Sequence, residues 1–460
     1  MQTVHNPFGG AFADLKFPDK VDVISMNPAP AIKNPKTAIS NALEFPIGTP
    51  SLREIALSKK FQKNNATCTI LVSDNTRPVP YVGDQGILLP AIEVLLACGY
   101  KAEEILILIA TGTHRPMSDE EIAVMIDRRV LKMGIKVVNH DSTDEKTLRN
   151  IGSTKRGTPM MLDTRYLDAD LKIGTGLVES HFMAGASGGR KSICPGIIGK
   201  QSTFIFHGPD FMVHEKATDL VLEGNPVHEE SLEIAKAATM DFCMNVTVDH
   251  AFRPTGIFFG ELEKAHLAAV EFLKQSVNVP VEHRADVVIT HAGFVGINHY
   301  QAGKCAVTAL RVLRRGGFLV IIADMTDEKA VIGGLTYRAN LSLLKLIGSE
   351  NYLKLIRSPD WTFIPDQWQV QEWGKVFAHI PMDHMIMYSP RIDKFWWPEL
   401  PGINGQDIMK SDGALSHDCY TRFIKEAISY ISEKTERSAD DLDIAYIADG
   451  PYAVPRIMGE

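Results

Sequence analysis

The sequence of 460 residues lacks a long hydrophobic run, a signal-like pattern in its first residues and an excess of positive charge. No apolar stretch reaches the ~18 residues of a transmembrane helix, and the N-terminal residues lack the charged start and apolar core of a secretory signal. The net charge is −8, from 48 Lys and Arg against 56 Asp and Glu. This balance disfavours general binding to nucleic acid, which needs an excess of cations on one face. We expect a soluble, cytoplasmic protein with no nucleic-acid or membrane partner.

Cysteine is scarce and scattered. The six cysteines are Cys68, Cys98, Cys194, Cys243, Cys305 and Cys419. None belongs to a CxxC pair, which disfavours a disulfide framework and a zinc ribbon. Histidine is concentrated instead, because nine of the fifteen histidines lie between His181 and His299. This concentration marks residues 181–299 as a candidate region for functional histidines.

Short apolar runs alternate with helical patterns from residue 66 onward. The predicted strands in the first part of the chain are 66–73, 104–110, 135–141 and 169–178. One helix is predicted over 88–99, and another begins at the capping box of Ser118 and Glu121 and runs to Gly134. Strands that alternate with helices predict the α/β class, with mainly parallel sheets and helices on both faces.

A linker over 278–285, with Pro in its middle and little periodicity, indicates two α/β domains. We predict an N-terminal domain over 1–277 and a C-terminal domain over 283–444, with an active-site cleft between them. The first ~50 residues are rich in Pro and Asn, which predicts irregular structure or a peripheral strand. The tail over 445–460 is extended, and its return to the first domain or the second is left open.

The second domain is predicted from a renewed alternation of strands and helices. A strand over 285–291 precedes a helix over 301–315 that stops at Gly316, and another strand covers 318–324. The segment 390–414 interrupts this pattern and is predicted to be an irregular insertion.

Polar and cationic side chains follow the ends of four predicted strands. Ligands of open α/β sheets bind beyond the carboxyl ends of the strands, so these side chains are expected to share one site. In chain order they are Asp74, Thr76, Arg77, His114, His181, Gly188, Gly189, Lys191, Tyr300, Gln301 and Lys304. The arrangement predicts that polar and cationic groups converge on one edge of the sheet, near the cleft between the two domains.

The segment GASGGRKS is the most specific of these loops. Its clustered glycines would let backbone N–H groups approach an anion, and Lys191 would add a positive charge. It does not match the nucleotide-binding P-loop, because Arg190 stands where that pattern requires glycine. A nucleotide-dependent phosphotransferase is kept as an alternative that lacks this pattern.

Several strings in a fixed order resemble the nickel-dependent lactate racemase family. They are DNTRP, TGTHR, SHFMAGASGGRKSICPG with His207 sixteen residues beyond Lys191, HYQAGK, and DQWQ at 366–369. The resemblance runs from roughly residue 40 to the C-terminus. The aromatic segment from Phe395 to Leu400 departs from the family pattern, which leaves the substrate more open than the reaction.

The resemblance implies a nickel-pincer nucleotide, a cofactor derived from nicotinic acid mononucleotide with two sulfur donors. Lys191 would form its thioamide, and His207 would complete a square-planar Ni(II) site, for which soft sulfur and imidazole are suited. The other residues expected beside the cofactor are Gly188, Gly189, Asp74 and Thr76. Separate cofactor-maturation proteins are implied as partners.

The resemblance also implies an isomerase that racemises or epimerises a lactate-like 2-hydroxy acid. Hydride would leave C2 and return to either face of a 2-keto acid, while His114 and His181 act as bases on opposite sides. Arg77, or else Lys304, would bind the substrate carboxylate. The remaining residues expected to line the substrate are Tyr300, Gln301 and Trp368.

Three further interpretations stay open. The same cofactor could serve a C2 epimerase of a sugar acid such as an aldonate, or a racemase of a longer or aromatic 2-hydroxy acid. A non-enzymatic zinc protein would use the histidine-rich stretch, although its spacings fit no compact ligand motif. The histidines of that alternative are His181, His207, His214 and His228. The oligomeric state is not predicted.

Overall fold

A computed structural model of the chain describes residues 2–8, 11–18, 20–409 and 419–459. The chain divides into two compact units. The first unit contains Pro28–His207 and His214–Gln275. The second unit contains Met1–Asn27, Gly208–Val213 and Ser276–Glu460. Among the described residues, no helix is both long and apolar enough to cross a membrane.

The elements of both units are numbered in chain order. The strands are β1 (Gln2–Phe8), β2 (Ala11–Phe17), β3 (Asp22–Ile24), β4 (Cys68–Ser73), β5 (Ile105–Ala110), β6 (Lys136–Asn139), β7 (Leu148–Ser153), β8 (Pro159–Asp163), β9 (Leu171–Leu177), β10 (Ser180–His181), β11 (Gly185–Ala186), β12 (Phe242–Val248), β13 (Pro254–Gly260), β14 (Asn278–Val281), β15 (Ala285–His291), β16 (Leu313–Ile322), β17 (Met385–Tyr388), β18 (Ile403–Asn404), β19 (Ile444–Ile447) and β20 (Val454–Ile457). The helices are α1 (Pro35–Glu44), α2 (Leu52–Gln62), α3 (Leu88–Ala97), α4 (Asp119–Met125), α5 (Arg128–Lys132), α6 (Thr164–Leu167), α7 (Lys200–Phe206), α8 (Pro209–Met212), α9 (Pro226–Ala238), α10 (Leu262–Val277), α11 (His299–Ala309), α12 (Leu335–Ile356), α13 (Gln367–His379), α14 (Gly405–Ile408) and α15 (Tyr420–Thr435).

The first unit is built on a six-stranded sheet in the order β13-β12-β9-β4-β5-β6. All pairs are parallel except β12 with β13. Central strands such as β4 are buried along almost their whole length because helices cover both faces of a parallel sheet. Ile70, Leu108 and Ile173 of three adjacent strands are completely buried.

The register of the central strands decides where the candidate site forms. Ser73 at the end of β4 pairs with Ala110 at the end of β5. On the other side, Leu71 of β4 pairs with Gly174 of β9. The loops that follow β4, β5 and β9 therefore start from the same edge of the sheet, as the sequence analysis expected.

The second unit is built on a parallel six-stranded sheet in the order β18-β17-β16-β15-β19-β3. The N-terminal β3 pairs with β19 at one edge, and β20 near the C-terminus pairs with β14. The units therefore differ from the predicted boundaries of 1–277 and 283–444, because both chain ends add strands to the second unit. The local sequence pattern does not show that strands from the two ends of a chain join the same unit.

Two predicted helices differ from the structure. The helix predicted from Ser118 to Gly134 is two helices, because Asp127 caps α5 by accepting a hydrogen bond from the backbone N–H of Arg129. The helix predicted over 301–315 ends at Ala309, and β16 begins at Leu313, before the predicted stop at Gly316.

The predicted insertion is described up to residue 409, and residues 410–414 lie outside the described residues. Its aromatic segment is anchored on α12. Arg338 donates hydrogen bonds to both carboxylate oxygens of Glu399 at 2.8 and 2.7 Å. The same guanidinium lies 4.5 Å from the ring centroid of Trp396, which is within the range of a cation–π contact.

Candidate active site

Asp74 and His114 form a hydrogen-bonded pair in the loops that follow β4 and β5. The Oδ2 atom of the buried Asp74 lies 2.7 Å from His114 Nδ1. Its Oδ1 atom accepts hydrogen bonds from the N–H and hydroxyl of Thr76 at 3.1 and 2.6 Å. Burial raises the pKa of Asp74, but the hydrogen bonds from His114 and Thr76 outweigh burial and lower that pKa below its ordinary value. The carboxylate thus keeps the His114 proton on Nδ1 and leaves Nε2 as the basic nitrogen.

Backbone contacts hold the His114 loop against the loop that follows Lys191. The N–H of Gly112 donates to the carbonyl of Gly196 at 2.9 Å. Gly112 has φ 57°, and a Cβ there would lie 3.3 Å from the carbonyl oxygen of Pro195. Glycine therefore permits both the left-handed backbone and the close approach of the two loops.

Lys191 and His181 form the second pair of the site. Lys191 Nζ lies 2.8 Å from His181 Nε2. The Nδ1 atom of His181 accepts hydrogen bonds from the N–H groups of Met183 and Ala184 at 3.4 and 3.2 Å, so Nε2 is the nitrogen turned toward the lysine.

The electrostatic surroundings of Lys191 favour its neutral form. Burial lowers the pKa of Lys191 well below its ordinary value, and the positive charges of Arg77 and Arg190 lower it further. A lower pKa increases the fraction of the amine that carries a free electron pair. Lys191 is therefore suited to act as a nucleophile.

Arg77, the predicted carboxylate clamp, has an acidic neighbour that the sequence analysis missed. Its Nε lies 3.4 Å from Glu179 Oε1, and its Nη1 donates to the carbonyl of Thr76 at 3.0 Å. Glu179 directly precedes the segment that contains His181, and an acidic residue in that position was the available signal. A substrate carboxylate at Arg77 would therefore compete with Glu179.

Arg190 organises the glycine-rich loop from inside. The guanidinium is buried and donates hydrogen bonds to the carbonyls of Ala184 and Ala186 at 2.8 and 3.0 Å. Burial lowers the pKa of Arg190 to about 9. In the sequence, Arg190 shows only that the loop departs from the P-loop pattern. The local sequence does not show that the side chain of Arg190 turns inward.

The two glycines before Arg190 are surrounded by protein atoms. The N–H of Gly189 donates to Asn245 Oδ1 at 2.8 Å, so that amide already has an acceptor. A Cβ on Gly188 would lie 2.5 Å from Val178 Cγ2. The structure thus gives both glycines a role in the turn, and their contact with a cofactor stays a prediction.

Substitution of Gly189 should test this packing. Gly189 has φ 52°, and a Cβ there would lie 2.8 Å from the ring of His266. Gly99 has φ 89° and no atom within 4 Å of such a Cβ, which makes it a matched control. We expect Gly99→Ala to lower the free energy of unfolding by about 1–2 kcal/mol through backbone strain, and Gly189→Ala by roughly 1–3 kcal/mol more through overpacking. Urea denaturation measures both, and equal losses would contradict the assigned packing.

His207, the predicted metal ligand, is a neutral imidazole with one nitrogen already oriented. Its Nδ1 donates to the carbonyl of Thr203 at 2.9 Å. Burial lowers the pKa of His207 to about 4, although the hydrogen bond to Thr203 acts in the opposite direction. The hydrogen bond to Thr203 fixes the ring proton on Nδ1, and metal-binding histidines usually have their tautomer fixed by such a bond.

The described residues contain no group of three or more His, Cys, Asp or Glu side chains that could hold a metal ion. His214 Nδ1 accepts a hydrogen bond from the N–H of Lys216, and the ring of His228 stacks near His266 at 6.3 Å. The histidine-rich stretch therefore does not assemble the metal site of the zinc-protein alternative.

The remaining predicted residues belong to the second unit. Tyr300, Gln301 and Lys304 lie on α11, and Trp368 lies on α13. The indole N–H of Trp368 donates to the hydroxyl oxygen of Tyr300 at 2.6 Å, so the structure brings these two side chains together. Burial raises the pKa of Tyr300, which keeps its hydroxyl protonated.

Comparison with known proteins assigns the family. The family model described as lactate racemase N-terminal domain matches residues 8–219. The lactate racemase of Thermoanaerobacterium thermosaccharolyticum is 32% identical over 444 residues, which cover 94% of this chain and 99% of that protein. The chain belongs to the lactate racemase family. A second lactate racemase, from Lactiplantibacillus plantarum, is 31% identical over 77% of this chain and 80% of its own length.

Solved structures agree with this membership. The lactate racemase apoprotein of T. thermosaccharolyticum superimposes with a TM-score of 0.84 at 26% identity, covering 99% of this chain and 100% of that one. A protein from Thermotoga maritima matches with a TM-score of 0.59 at 17% identity, over 89% of this chain and 98% of its own, and shows the fold alone. The predicted family and α/β class are confirmed. Racemases are isomerases, so the predicted enzyme class is confirmed as well.

Proposed function

We propose that this member of the lactate racemase family interconverts the enantiomers of a small 2-hydroxy acid such as lactate. The observation that carries the proposal is the pair of histidines, each with one nitrogen already bonded. Asp74 engages Nδ1 of His114, and backbone N–H groups engage Nδ1 of His181. Racemisation needs a proton-exchanging group for each enantiomer, and two oriented imidazoles meet that need.

The chemistry at C2 explains why histidines alone do not suffice. Removing the C2 proton beside a carboxylate is unfavourable, whereas moving hydride avoids a carbanion and gives a flat 2-keto acid. When bound, a nickel-pincer nucleotide supplies a group that accepts and returns hydride. In this scheme His114 and His181 take the hydroxyl proton from opposite enantiomers and give it back to the carbonyl oxygen, and His114 does so through Nε2.

The residues of the first unit fit this cofactor. Lys191 offers an amine with a lowered pKa for a covalent link, and His207 offers one oriented imidazole. Because the described residues form no cluster of three metal-binding side chains, the metal would take most of its donors from the cofactor. Sulfur donors and one imidazole suit Ni(II).

The other proposed residues have different roles in this scheme. Thr76 donates a hydrogen bond to Asp74, and Asp74 in turn holds His114. We propose contact with the cofactor as a secondary role of Asp74 and Thr76. Arg77 is proposed to bind the substrate carboxylate, with Lys304 as the second cation. We also propose cofactor-maturation proteins as partners and a cytoplasmic location. The side chains proposed to line the substrate are Tyr300, Gln301 and Trp368.

An isotope experiment tests the proposed reaction. Protein loaded with its cofactor is given single-enantiomer lactate that carries deuterium at C2. Hydride transfer and return predicts that the opposite enantiomer forms with its deuterium retained, because the C2 hydrogen never exchanges with water. Chiral chromatography with mass spectrometry measures both quantities.

The same assay covers the substrate alternatives. Loss of deuterium to water at the rate of racemisation would contradict hydride transfer. Parallel reactions with an aldonate and with longer and aromatic 2-hydroxy acids compare their kcat/KM values with that of lactate. A higher value for any of these would reassign the substrate while leaving the reaction class in place.

A further inference from the structure

The hydroxyl of Tyr337 on α12 connects the two helices that carry the proposed substrate residues of the second unit. It accepts a hydrogen bond from the indole N–H of Trp373 on α13 at 2.7 Å. It also lies 2.8 Å from Nδ1 of His299, the first residue of α11. All three side chains are completely buried, so water is not a substitute partner for any of these groups.

Close packing of rings and backbone surrounds this connection. The rings of His299 and Trp373 stack with their centroids 4.9 Å apart, and Tyr337 meets Tyr300 edge to face at 5.2 Å. A Cβ on Gly303 of α11 would lie only 3.3 Å from the indole nitrogen of Trp373. The two helices are therefore in contact, and the buried hydroxyl sets their alignment at this point.

The proposed substrate side chains lie on the same two helices. Tyr300 follows His299 directly, and its hydroxyl accepts the hydrogen bond from Trp368, which lies five residues before Trp373 on α13. A small shift of α11 against α13 would change the Tyr300–Trp368 distance of 2.6 Å. Substrate positioning is sensitive to displacements of this size.

We propose that Tyr337 is a positioning residue that holds Tyr300 and Trp368 in register through its bonds to His299 and Trp373. The inference rests on the proposed function only in treating Tyr300 and Trp368 as substrate-binding residues. The alignment itself is a property of the second unit and exists without substrate.

Nuclear magnetic resonance of the full chain tests the alignment. The protein has five tryptophans, so indole ¹⁵N labelling gives few signals, which Trp368→Phe and Trp373→Phe assign. In Tyr337→Phe the Trp373 signal is expected to move because its acceptor is gone, and the Trp368 signal is expected to move with it. Tyr352→Phe is the matched control on the same helix, since the buried Tyr352 hydroxyl makes only a 3.4 Å contact to Asn340. A Trp368 signal that stays in place in Tyr337→Phe would overturn the proposal.

Kinetics of the loaded enzyme test the consequence for substrate. Tyr337→Phe is expected to raise KM for lactate roughly tenfold and to change kcat by less than about twofold. The control Tyr352→Phe should leave both KM and kcat unchanged. Trp373→Phe removes the same hydrogen bond from the other side and should reproduce the KM effect. A moved Trp368 signal with wild-type KM would overturn the role in substrate positioning. If the wild-type enzyme racemises no 2-hydroxy acid, the proposed function fails, while the resonance experiment still judges the alignment.

Discussion

Replacing Lys191 with alanine is expected to remove the covalently bound cofactor completely and, with it, the racemase activity. Desolvation and the nearby positive charges of Arg77 and Arg190 lower the pKa of the half-buried Lys191, whose amine lies 2.8 Å from His181 Nε2. We therefore propose this amine as the nucleophile for a covalent link. The mass of the intact protein, purified with its maturation proteins present, measures the attachment directly.

Lys172 provides a matched control for this substitution. Burial lowers its pKa as well, but its Nζ donates to the carbonyl of Ala238 and the hydroxyl of Thr239 instead of facing a histidine. Lys172→Ala should therefore keep the added mass. An added mass that survives in Lys191→Ala would show that the link forms elsewhere or not at all.

Loss of either proposed histidine base should have the second largest effect. We expect His114→Ala and His181→Ala each to lower kcat by about 10²–10⁴-fold, the usual contribution of a positioned acid or base. Cofactor loading should be unchanged, because neither side chain is the nucleophile or the proposed metal ligand. Metal content and intact mass measure loading, and loss of optical rotation measures turnover.

Asp74→Asn should give a graded version of the His114 effect. The carboxylate accepts the Nδ1 proton of His114 at 2.7 Å, whereas an amide can donate to Nδ1 and place the proton on Nε2. His5 and Asp14 form a comparable but exposed pair at 2.6 Å, so His5→Ala is the matched control and should leave kcat unchanged. An active His114→Ala or His181→Ala enzyme would refute the scheme with two bases.

The strands of both sheets were predictable wherever burial marks the local sequence. The apolar runs at 66–73, 104–110 and 285–291 contain β4, β5 and β15, because strands covered on both faces need side chains that are apolar throughout. The short β3 and β14 carry no such run, since they lie at sheet edges or in a two-stranded pair. Their partners, β19 for β3 and β20 for β14, lie far away along the chain, so their strand state depends on the assembled sheet.

The site was predictable as a set of loops and not as a set of contacts. The rule that ligands bind beyond the carboxyl ends of parallel strands selected the loops of Asp74, His114 and Lys191. It could not select Glu179 as the neighbour of Arg77, nor show that Arg190 turns inward. Both facts depend on side-chain direction after a loop folds, which residue type alone does not encode.

By itself the sequence determined the α/β class, the positions of the buried strands along the chain and the family. Periodic burial and motif order are local properties of a chain. Only the tertiary structure decided which ring nitrogen of each histidine carries the proton and why Lys191 favours its neutral form. Those properties arise from burial and from charges brought together across the sheet, such as Arg77 beside Lys191. A pKa depends on everything that surrounds a group in space, and the chain alone lists only its neighbours in order.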